Sequence, residues 1–145
     1  MDIENKVILE FSALSENEAL ARNVAGLFAI QFSPTISQIS DIKTAVSEAV
    51  TNSIVHGYPD KKGTIIMELI RNNNKLHINV IDHGVGIKDV SLALEPFYTT
   101  KEEEERSGMG FTIMKTFMDE VNVDSSIDGG VKVSMYKIIG AESKL

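Results

Sequence analysis

The alternation of hydrophobic and polar residues predicts a strand and then a long helix at the start of the chain. The run from Val7 to Phe11 is rich in β-branched and apolar residues, which is typical of a strand. From Ser15 onwards apolar residues recur at helical spacing until Ser33, where the following proline stops the helix. Because Ser15 and Glu18 have the spacing of a capping box, the first helix is predicted to begin there.

A second helix and a hairpin are predicted next. Apolar positions at helical spacing predict the helix from about Ser37 to His56, with Gly57 as its C-terminal stop. The strand-like runs 64–70 and 75–81 flank a segment rich in asparagine, a residue that tolerates the backbone conformations of tight turns. These two runs therefore predict a β-hairpin.

The last part of the chain predicts a third helix and a second hairpin. An apolar segment led by Gly108-Met109-Gly110 is compatible with a helix that ends near Asp119. The runs 121–125 and 131–138 are joined through Asp128-Gly129-Gly130, which favours a hairpin turn.

The predicted elements amount to about five strands and three helices. Because hairpins enforce antiparallel pairing, the predicted fold is an α/β (α+β) two-layer sandwich, with a mixed, mostly antiparallel sheet covered by helices on one face. The length of 145 residues and the hydrophobic content of 43% fit a single domain over residues 1–145.

Composition narrows the classes of function. The sequence has no cysteine, which excludes disulfides and thiolate chemistry and fits a reducing cytoplasm. It shows no secretory leader and no run of about 18 apolar residues, so we expect a cytoplasmic protein without membrane spans. The net charge of -7 would repel a phosphate backbone, which disfavours direct binding of nucleic acid.

One carboxylate stands out on the second predicted helix. Over residues 42–57 only Lys43 and Glu48 are charged, which predicts a largely buried helix. A carboxylate such as Glu48 is unusual on a buried helix unless it has a partner or a function. Asn52 follows one turn later, so an amide oxygen for Mg²⁺ and a carboxylate base can address one ligand together. On its own such a pair is more often polar helix surface, and His56 at the helix end is more often structural than catalytic.

A second motif, Asp82-His83-Gly84-Val85-Gly86-Ile87, follows an apolar strand. It places an acceptor-only carboxylate at the strand end, beside two glycines that allow close approach of the backbone. The Asp82 carboxylate can accept a hydrogen bond from the amino group of adenine, with Gly84 and Gly86 lining the pocket. An ordinary turn after a strand is the alternative interpretation.

A third motif, Arg106-Ser107-Gly108-Met109-Gly110-Phe111, places two glycines directly before a predicted helix. The unpaired N–H groups and the partial positive charge of a helix N-terminus form an anion site suited to phosphates. The motif lacks the P-loop pattern, and the sequence lacks the signatures of eukaryotic-type protein kinases.

The order of the three motifs resembles the GHKL ATPase superfamily, which includes gyrase-type ATPases and histidine kinases. The N, G1 and G2 boxes of that superfamily correspond to residues 48–57, 82–87 and 106–111. The resemblance implies ATP or ADP with Mg²⁺, bound by Asn52 as the metal ligand and Asp82 as the adenine partner. The glycines implied to shape the pocket are Gly84, Gly86, Gly108 and Gly110.

A closer resemblance covers nearly the whole chain and is carried by Ser15-Glu16-Asn17-Glu18, Pro96-Phe97-Tyr98-Thr99-Thr100-Lys101 and the stretch 108–121. It is to the anti-sigma F family of sporulation anti-sigma kinases, with general-stress anti-sigma kinases as the near alternative. It implies a protein that binds and inhibits a sporulation sigma factor and, as an ATP-dependent serine kinase, phosphorylates and inactivates an anti-anti-sigma protein. Glu48 would be the general base for the acceptor serine. The further nucleotide-binding residues that it implies are Thr99, Thr100, Lys101, Arg106 and Thr112.

The loop 87–107 between the two glycine motifs is a candidate ATP lid. It contains the acidic run Glu102-Glu103-Glu104-Glu105, which would cost energy close to a triphosphate and is therefore expected to point outward. Lys101 and Arg106 bracket the run and are expected to turn inward to the phosphates. A solvated charged loop is the alternative.

The sequence says less about the surfaces that bind protein partners than about the nucleotide site. The resemblance implies a homodimer as well as the sigma factor and the anti-anti-sigma protein. Arg22 on the first helix is a candidate contact for an acidic patch, although a snorkelling arginine is the commoner explanation. A nucleotide-gated module that binds a sigma factor with little turnover is the alternative to a kinase.

Overall fold

A five-stranded sheet forms one layer of the computed structural model, which describes residues 3–59, 62–86, 110–126 and 129–140. The strands are β1 (Asn5–Ser12), β2 (Thr64–Asn72), β3 (Lys75–Asp82), β4 (Glu120–Ser126) and β5 (Gly130–Ile138). They lie in the order β1-β2-β3-β5-β4, and every neighbouring pair is antiparallel. Both predicted hairpins are present, and the first turns at Asn73, whose φ of 54° is the left-handed conformation expected of asparagine.

Helices form the second layer. In the described ranges the α-helices are α1 (Glu16–Ala29), α2 (Ile36–Asn52) and α3 (Gly110–Phe117). A 3-10 turn, Ile30–Phe32, extends α1, and a π-helix, Ser53–Gly57, extends α2. The two long helices are confirmed close to their predicted bounds, but the end of the second one is π rather than α.

The predicted capping box at the start of the first helix is not formed. Ser15 occupies the N-cap of α1, yet its side chain makes no capping hydrogen bond, and Glu18 pairs with Arg22 instead, with 2.7 Å between Oε2 and Nε. The capping box lies at the start of α2, where Thr35 Oγ1 accepts from the N–H of Gln38 at 3.0 Å and Gln38 Oε1 accepts from the N–H of Thr35 at 2.9 Å. A charge-assisted bond to arginine therefore replaced the capping role of Glu18.

The core lies between the helices and one face of the sheet. Along β3 burial alternates with the period of a strand, so that Leu76, Ile78, Val80 and Asp82 are buried and face the helical layer. Asp82 is the last residue of this series and is only 2% exposed. The alternation therefore carries one carboxylate into the interior at the end of an otherwise apolar strand.

The predicted two-layer α/β class is confirmed, and the sheet is antiparallel wherever the structure describes it. No helix in the described ranges is both long and apolar enough to cross a bilayer. The single domain over residues 1–145 stays a prediction. The predicted lid, 87–107, lies outside the described residues.

Candidate functional site

Glu48 and Asn52 lie on the last two turns of α2, where the N-terminus of α3 packs against that helix. A Cβ atom placed on Gly110 would lie 3.0 Å from Asn52 Nδ2, 3.3 Å from Asn52 Oδ1 and 3.4 Å from Glu48 Oε1. Both side chains are half-buried, and Gly110 is buried. The structure therefore brings three of the predicted site residues together, so closely that a side chain on Gly110 would crowd Asn52 and Glu48.

This end of the site is suited to phosphates. In the part of the chain that the structure describes, α3 begins at Gly110, so the N-terminal, positive end of this helix lies beside Asn52 and Glu48. The Asn52 amide oxygen is a hard ligand of the kind that Mg²⁺ binds, and the Glu48 carboxylate is a proton acceptor.

The donor set fits a magnesium ion that accompanies a nucleotide. The described residues contain no cluster of three or more Asp, Glu or His side chains that could hold a metal ion. An ion at Asn52 would therefore depend on phosphate oxygens and water for its remaining ligands, which is a common arrangement for Mg²⁺.

The second part of the site surrounds Asp82 at the end of β3. Its Oδ1 accepts a hydrogen bond from the N–H of Gly84 at 2.9 Å. The carbonyl oxygen of Gly57, at the end of the π-helix, accepts from the N–H of Val85 at 3.0 Å. Gly86 follows with a φ of 79°. The end of the second helix and the loop after β3 are therefore joined directly through the backbone.

Close contact between these backbones leaves no room for side chains. A Cβ on Gly84 would overlap the carbonyl oxygen of Gly57, and a Cβ on Gly57 would lie 3.0 Å from the carboxylate atoms of Asp82. The carboxylate of Asp82 thus rests against bare backbone in a buried position. A nucleotide with its base at Asp82 and its phosphates at Gly110 fits this donor set.

Sequence reasoning missed two residues at this site. The sequence predicts Gly57 only as a helix stop, because its contact with Asp82 depends on tertiary structure. Tyr58 was not singled out, yet its hydroxyl donates to the carbonyl oxygen of Thr64 at 2.8 Å and accepts from the N–H of His83 at 2.7 Å. The sequence signal was their position, since Gly57 closes the N box and Tyr58 directly follows it.

The remaining predicted residues are placed as follows. Thr112 lies in the first turn of α3, where its carbonyl oxygen accepts from Thr116 Oγ1 at 2.8 Å. His56 lies in the π-helix and is half-buried. The predicted nucleotide-binding residues outside the described residues are Thr99, Thr100, Lys101, Arg106 and Gly108, together with the acidic run 102–105.

Arg22 lies on α1, whereas the pocket residues lie on α2, α3, the π-helix and the end of β3. Burial alone would raise the pKa of the Glu18 carboxyl, but hydrogen bonds from Arg22 and Ser47 hold that pKa below its ordinary value. The same bond to Glu18 raises the pKa of the Arg22 guanidinium. The arginine is therefore held by its own helix, with about a third of its side chain exposed.

A protein-family model and individual known proteins both match nearly the whole chain. Residues 11–137 match the model of the histidine kinase-like ATPase domain. The chain is 51% identical to the anti-sigma F factor of Thermoanaerobacter sp. (strain X514), over 98% of this chain and 99% of that protein. It is 52% identical to the anti-sigma F factor of Caldanaerobacter subterraneus subsp. tengcongensis, over 97% of this chain and 98% of that one.

Two solved structures share the fold. The RsbU and RsbW domains of a Mycobacterium tuberculosis protein match with a TM-score of 0.66 at 17% identity, over 93% of this chain and 32% of that chain. The catalytic domain of the histidine kinase ThkA matches with a TM-score of 0.58 at 16% identity, over 92% of this chain and 96% of that one. At these identities the two likenesses support the fold alone.

Proposed function

The chain belongs to the histidine kinase-like ATPase domain family and, within it, to the anti-sigma F factors, and on that premise we propose that it inhibits a sporulation sigma factor and phosphorylates its anti-anti-sigma protein on serine. The observation that carries the kinase activity is the meeting of Glu48, Asn52 and Gly110 at the start of α3. Phosphoryl transfer needs a base, a metal ligand and a group that binds phosphate. Glu48 and Asn52 both lie within 3.4 Å of the point where a Cβ on Gly110 would stand, at the start of α3.

The nucleotide, ATP or ADP, would lie between the two ends of the site. The buried carboxylate of Asp82 would accept from the adenine amino group, with the bare backbone of Gly57 and Gly84 beside it. The first turn of α3 would donate backbone N–H groups to the phosphates, and Asn52 would hold Mg²⁺. The magnesium ion, when bound, neutralises the charge on the phosphates.

Glu48 would act on the acceptor hydroxyl. Its carboxylate would accept the proton of the partner's serine as the serine oxygen forms a bond to the γ-phosphorus and the bond to the ADP oxygen breaks. Because most of the catalysis in phosphoryl transfer comes from positioning and charge, the half-buried position of Glu48 on a packed helix supports this role.

The deciding experiment supplies γ-labelled ATP, Mg²⁺ and a cognate anti-anti-sigma protein. Label on a partner serine supports the kinase. Release of free phosphate would point to a hydrolase, and a nucleotide-dependent sigma-factor complex without transfer would point to a gated binding module.

Glu48→Gln should keep nucleotide and sigma-factor binding yet lower transfer by about a hundredfold or more, since general bases contribute effects of that size. The matched control is Glu68→Gln, which changes a carboxylate on β2 that accepts from Asn79 Nδ2 at 2.9 Å. Transfer at the wild-type rate by Glu48→Gln would remove Glu48 as the base.

The partner surfaces are part of the same proposal. Arg22 would contact an acidic patch on a protein partner, and the third of its side chain that stays exposed beside Glu18 supports this. A homodimer is supported by apolar side chains that α1 and β1 leave exposed, among them Leu27 at 68% and Val7 at 37%. Lys101 and Arg106 would bind the phosphates from the lid, so neutralising either should weaken ATP binding.

A further inference from the structure

Tyr58 lies directly after the π-helix and connects two neighbouring strands through its hydroxyl. The hydroxyl donates to the carbonyl oxygen of Thr64 at the start of β2 and accepts from the N–H of His83 just after β3. The ring lies against Gly63, where a Cβ would overlap it. Ring and hydroxyl are thus both placed by the fold.

The register of the sheet gives this hydroxyl a particular position. In the β2–β3 pair, Ile65 lies opposite Asp82, so an antiparallel ladder would next place Thr64 opposite His83. Tyr58 bridges the carbonyl of Thr64 and the N–H of His83, which belong to that next pair. The hydroxyl therefore stands between two groups that would otherwise be free to bond directly, and the pairing of β3 ends at Asp82.

The end of the pairing sets the geometry of the loop after it. After β3 separates from β2 at His83, the N–H of Gly84 donates to Asp82 Oδ1 and the N–H of Val85 donates to the carbonyl oxygen of Gly57. One further rung of the ladder would draw His83 toward β2 and Gly84 away from Gly57. The orientation of the Asp82 carboxylate thus depends on where β3 stops.

We propose that Tyr58 is a positioning residue for recognition of the nucleobase, acting as a wedge between Thr64 and His83 that holds the Asp82 carboxylate in place. The inference deepens the proposed nucleotide site and rests on it. Tyr58 touches neither the base nor the phosphates in this role, since its hydroxyl is occupied by the two backbone groups.

The experiment compares Tyr58→Phe with the wild type and with Tyr136→Phe, a matched control on the sheet face opposite the helices. Phenylalanine keeps the ring against Gly63 and removes only the bridge. Calorimetry would measure the dissociation constants of ATP and of inosine triphosphate, which has a carbonyl in place of the adenine amino group. Hydrogen exchange would follow the amides of Gly84 and Val85 in the absence of nucleotide.

For Tyr58→Phe we expect ATP affinity to fall about tenfold, the size expected for one lost hydrogen bond. The preference for ATP over inosine triphosphate should fall as well, because the Asp82 carboxylate, which recognises the base, would no longer be held in place. The amides of Gly84 and Val85 should exchange about tenfold faster, since their bonds open more readily. Tyr136→Phe should leave all three quantities unchanged.

Equal losses of affinity for the two nucleotides would overturn the positioning role and indicate general loosening. Unchanged exchange of Gly84 and Val85 would overturn the wedge whatever nucleotide binds. A wild-type protein without any preference for ATP would instead refute the adenine role of Asp82, and the base-recognition part of this inference with it. The exchange measurement separates that failure from a failure of the wedge.

Discussion

At the scale of single residues, the site depends on glycines whose missing side chains let two backbones touch. Gly84→Ala should lower the free energy of unfolding by about 1–3 kcal/mol, because the new Cβ would overlap the Gly57 carbonyl, a backbone group that cannot rotate aside. ATP affinity should fall about tenfold or more, because the loop must move away from Asp82. Denaturant unfolding and calorimetry measure the two effects.

Gly26→Ala is the matched control for that change. A Cβ on Gly26, within α1, would lie 3.1 Å from Lys43 Cδ, part of a flexible side chain that can shift. Alanine in a helix interior should then add about 0.5–1 kcal/mol of stability, with nucleotide binding unchanged. A Gly84→Ala protein as stable and as tightly binding as the wild type would refute the close-contact argument.

The residues of the site differ in how far the sequence could predict them. The sequence predicts Glu48 because a lone carboxylate on a nearly uncharged helix needs a reason. It predicts Asp82 because a carboxylate ends an apolar strand beside two glycines. In the structure Glu48 lies beside Gly110, and Asp82 is buried against Gly57. Tyr58 was not predicted, because aromatic residues near a turn are common. Its role depends on tertiary structure, because its hydroxyl bonds to Thr64 and His83, which lie at the ends of two neighbouring strands.

At the scale of elements, α3 is fixed at its C-terminal end by a lysine from the sheet. Lys137 Nζ donates to the carbonyl oxygen of Phe117 at 2.6 Å and lies 3.5 Å from Asp41 Oδ2 on α2. Only 13% of the lysine side chain is exposed. The contact pairs a cation with the negative end of a helix whose other end meets Asn52 and Glu48.

Lys137→Met should therefore destabilise the protein by about 1–3 kcal/mol, since a mostly buried charge-assisted hydrogen bond is lost. ATP affinity should also fall, because the axial position of α3 is less fixed. Lys132→Met, an exposed lysine on the same strand, is the control and should change neither quantity. Wild-type affinity in a destabilised Lys137→Met protein would limit the lysine to a role in stability.

The sheet face opposite the helices carries His77, which is expected to make stability depend on pH. Burial lowers the pKa of His77, and the nearby charge of Lys75 lowers it further. The His77 ring lies 5.7 Å from the ring of Tyr136 on β5, and Lys75 Nζ lies 4.4 Å above that ring. An ammonium and two rings thus share one patch of this face.

As pH falls below about 6.5, His77 takes up a proton in the unfolded chain before it does so in the folded one. The free energy of unfolding should therefore decrease on acidification through that range. His77→Gln should remove this part of the slope, as measured by denaturant unfolding at a series of pH values. Lys75→Met should remove it only in part, because burial remains, and an unchanged slope in His77→Gln would contradict the assignment.

The elements and their approximate bounds were largely predictable, whereas the capping of the first helix and the π-helical end of the second were not. Strand alternation and hairpin turns are local patterns, so the five strands of the described ranges were all predicted. The capping box was assigned to Ser15 and formed at Thr35, because Glu18 was drawn to Arg22. The π-helix at Ser53–Gly57 follows no local rule; there the backbone meets the loop after β3.

At the scale of the whole molecule, the layers leave an apolar surface on one side. β1 is an edge strand of the described sheet, and Val7, which lies on the helix-facing side of that strand, is 37% exposed. On α1, Leu20 and Leu27 are 49% and 68% exposed and lie two turns apart on one face. The sequence predicted the layers but not this surface, because exposure follows from what the rest of the fold leaves uncovered.

An edge strand and an adjoining apolar helix face suit a second copy of the chain, since an isologous contact places the same surface on both subunits. Leu27→Glu should therefore shift a dimer toward the monomer by about tenfold or more in dissociation constant, because a carboxylate would be buried at the contact. Analytical ultracentrifugation across a concentration series measures the shift. Ser40→Glu adds the same charge at an exposed position on α2 and should leave the equilibrium unchanged. A wild-type protein that stays monomeric throughout, or a Leu27→Glu dimer of wild-type strength, would assign this surface to a different partner.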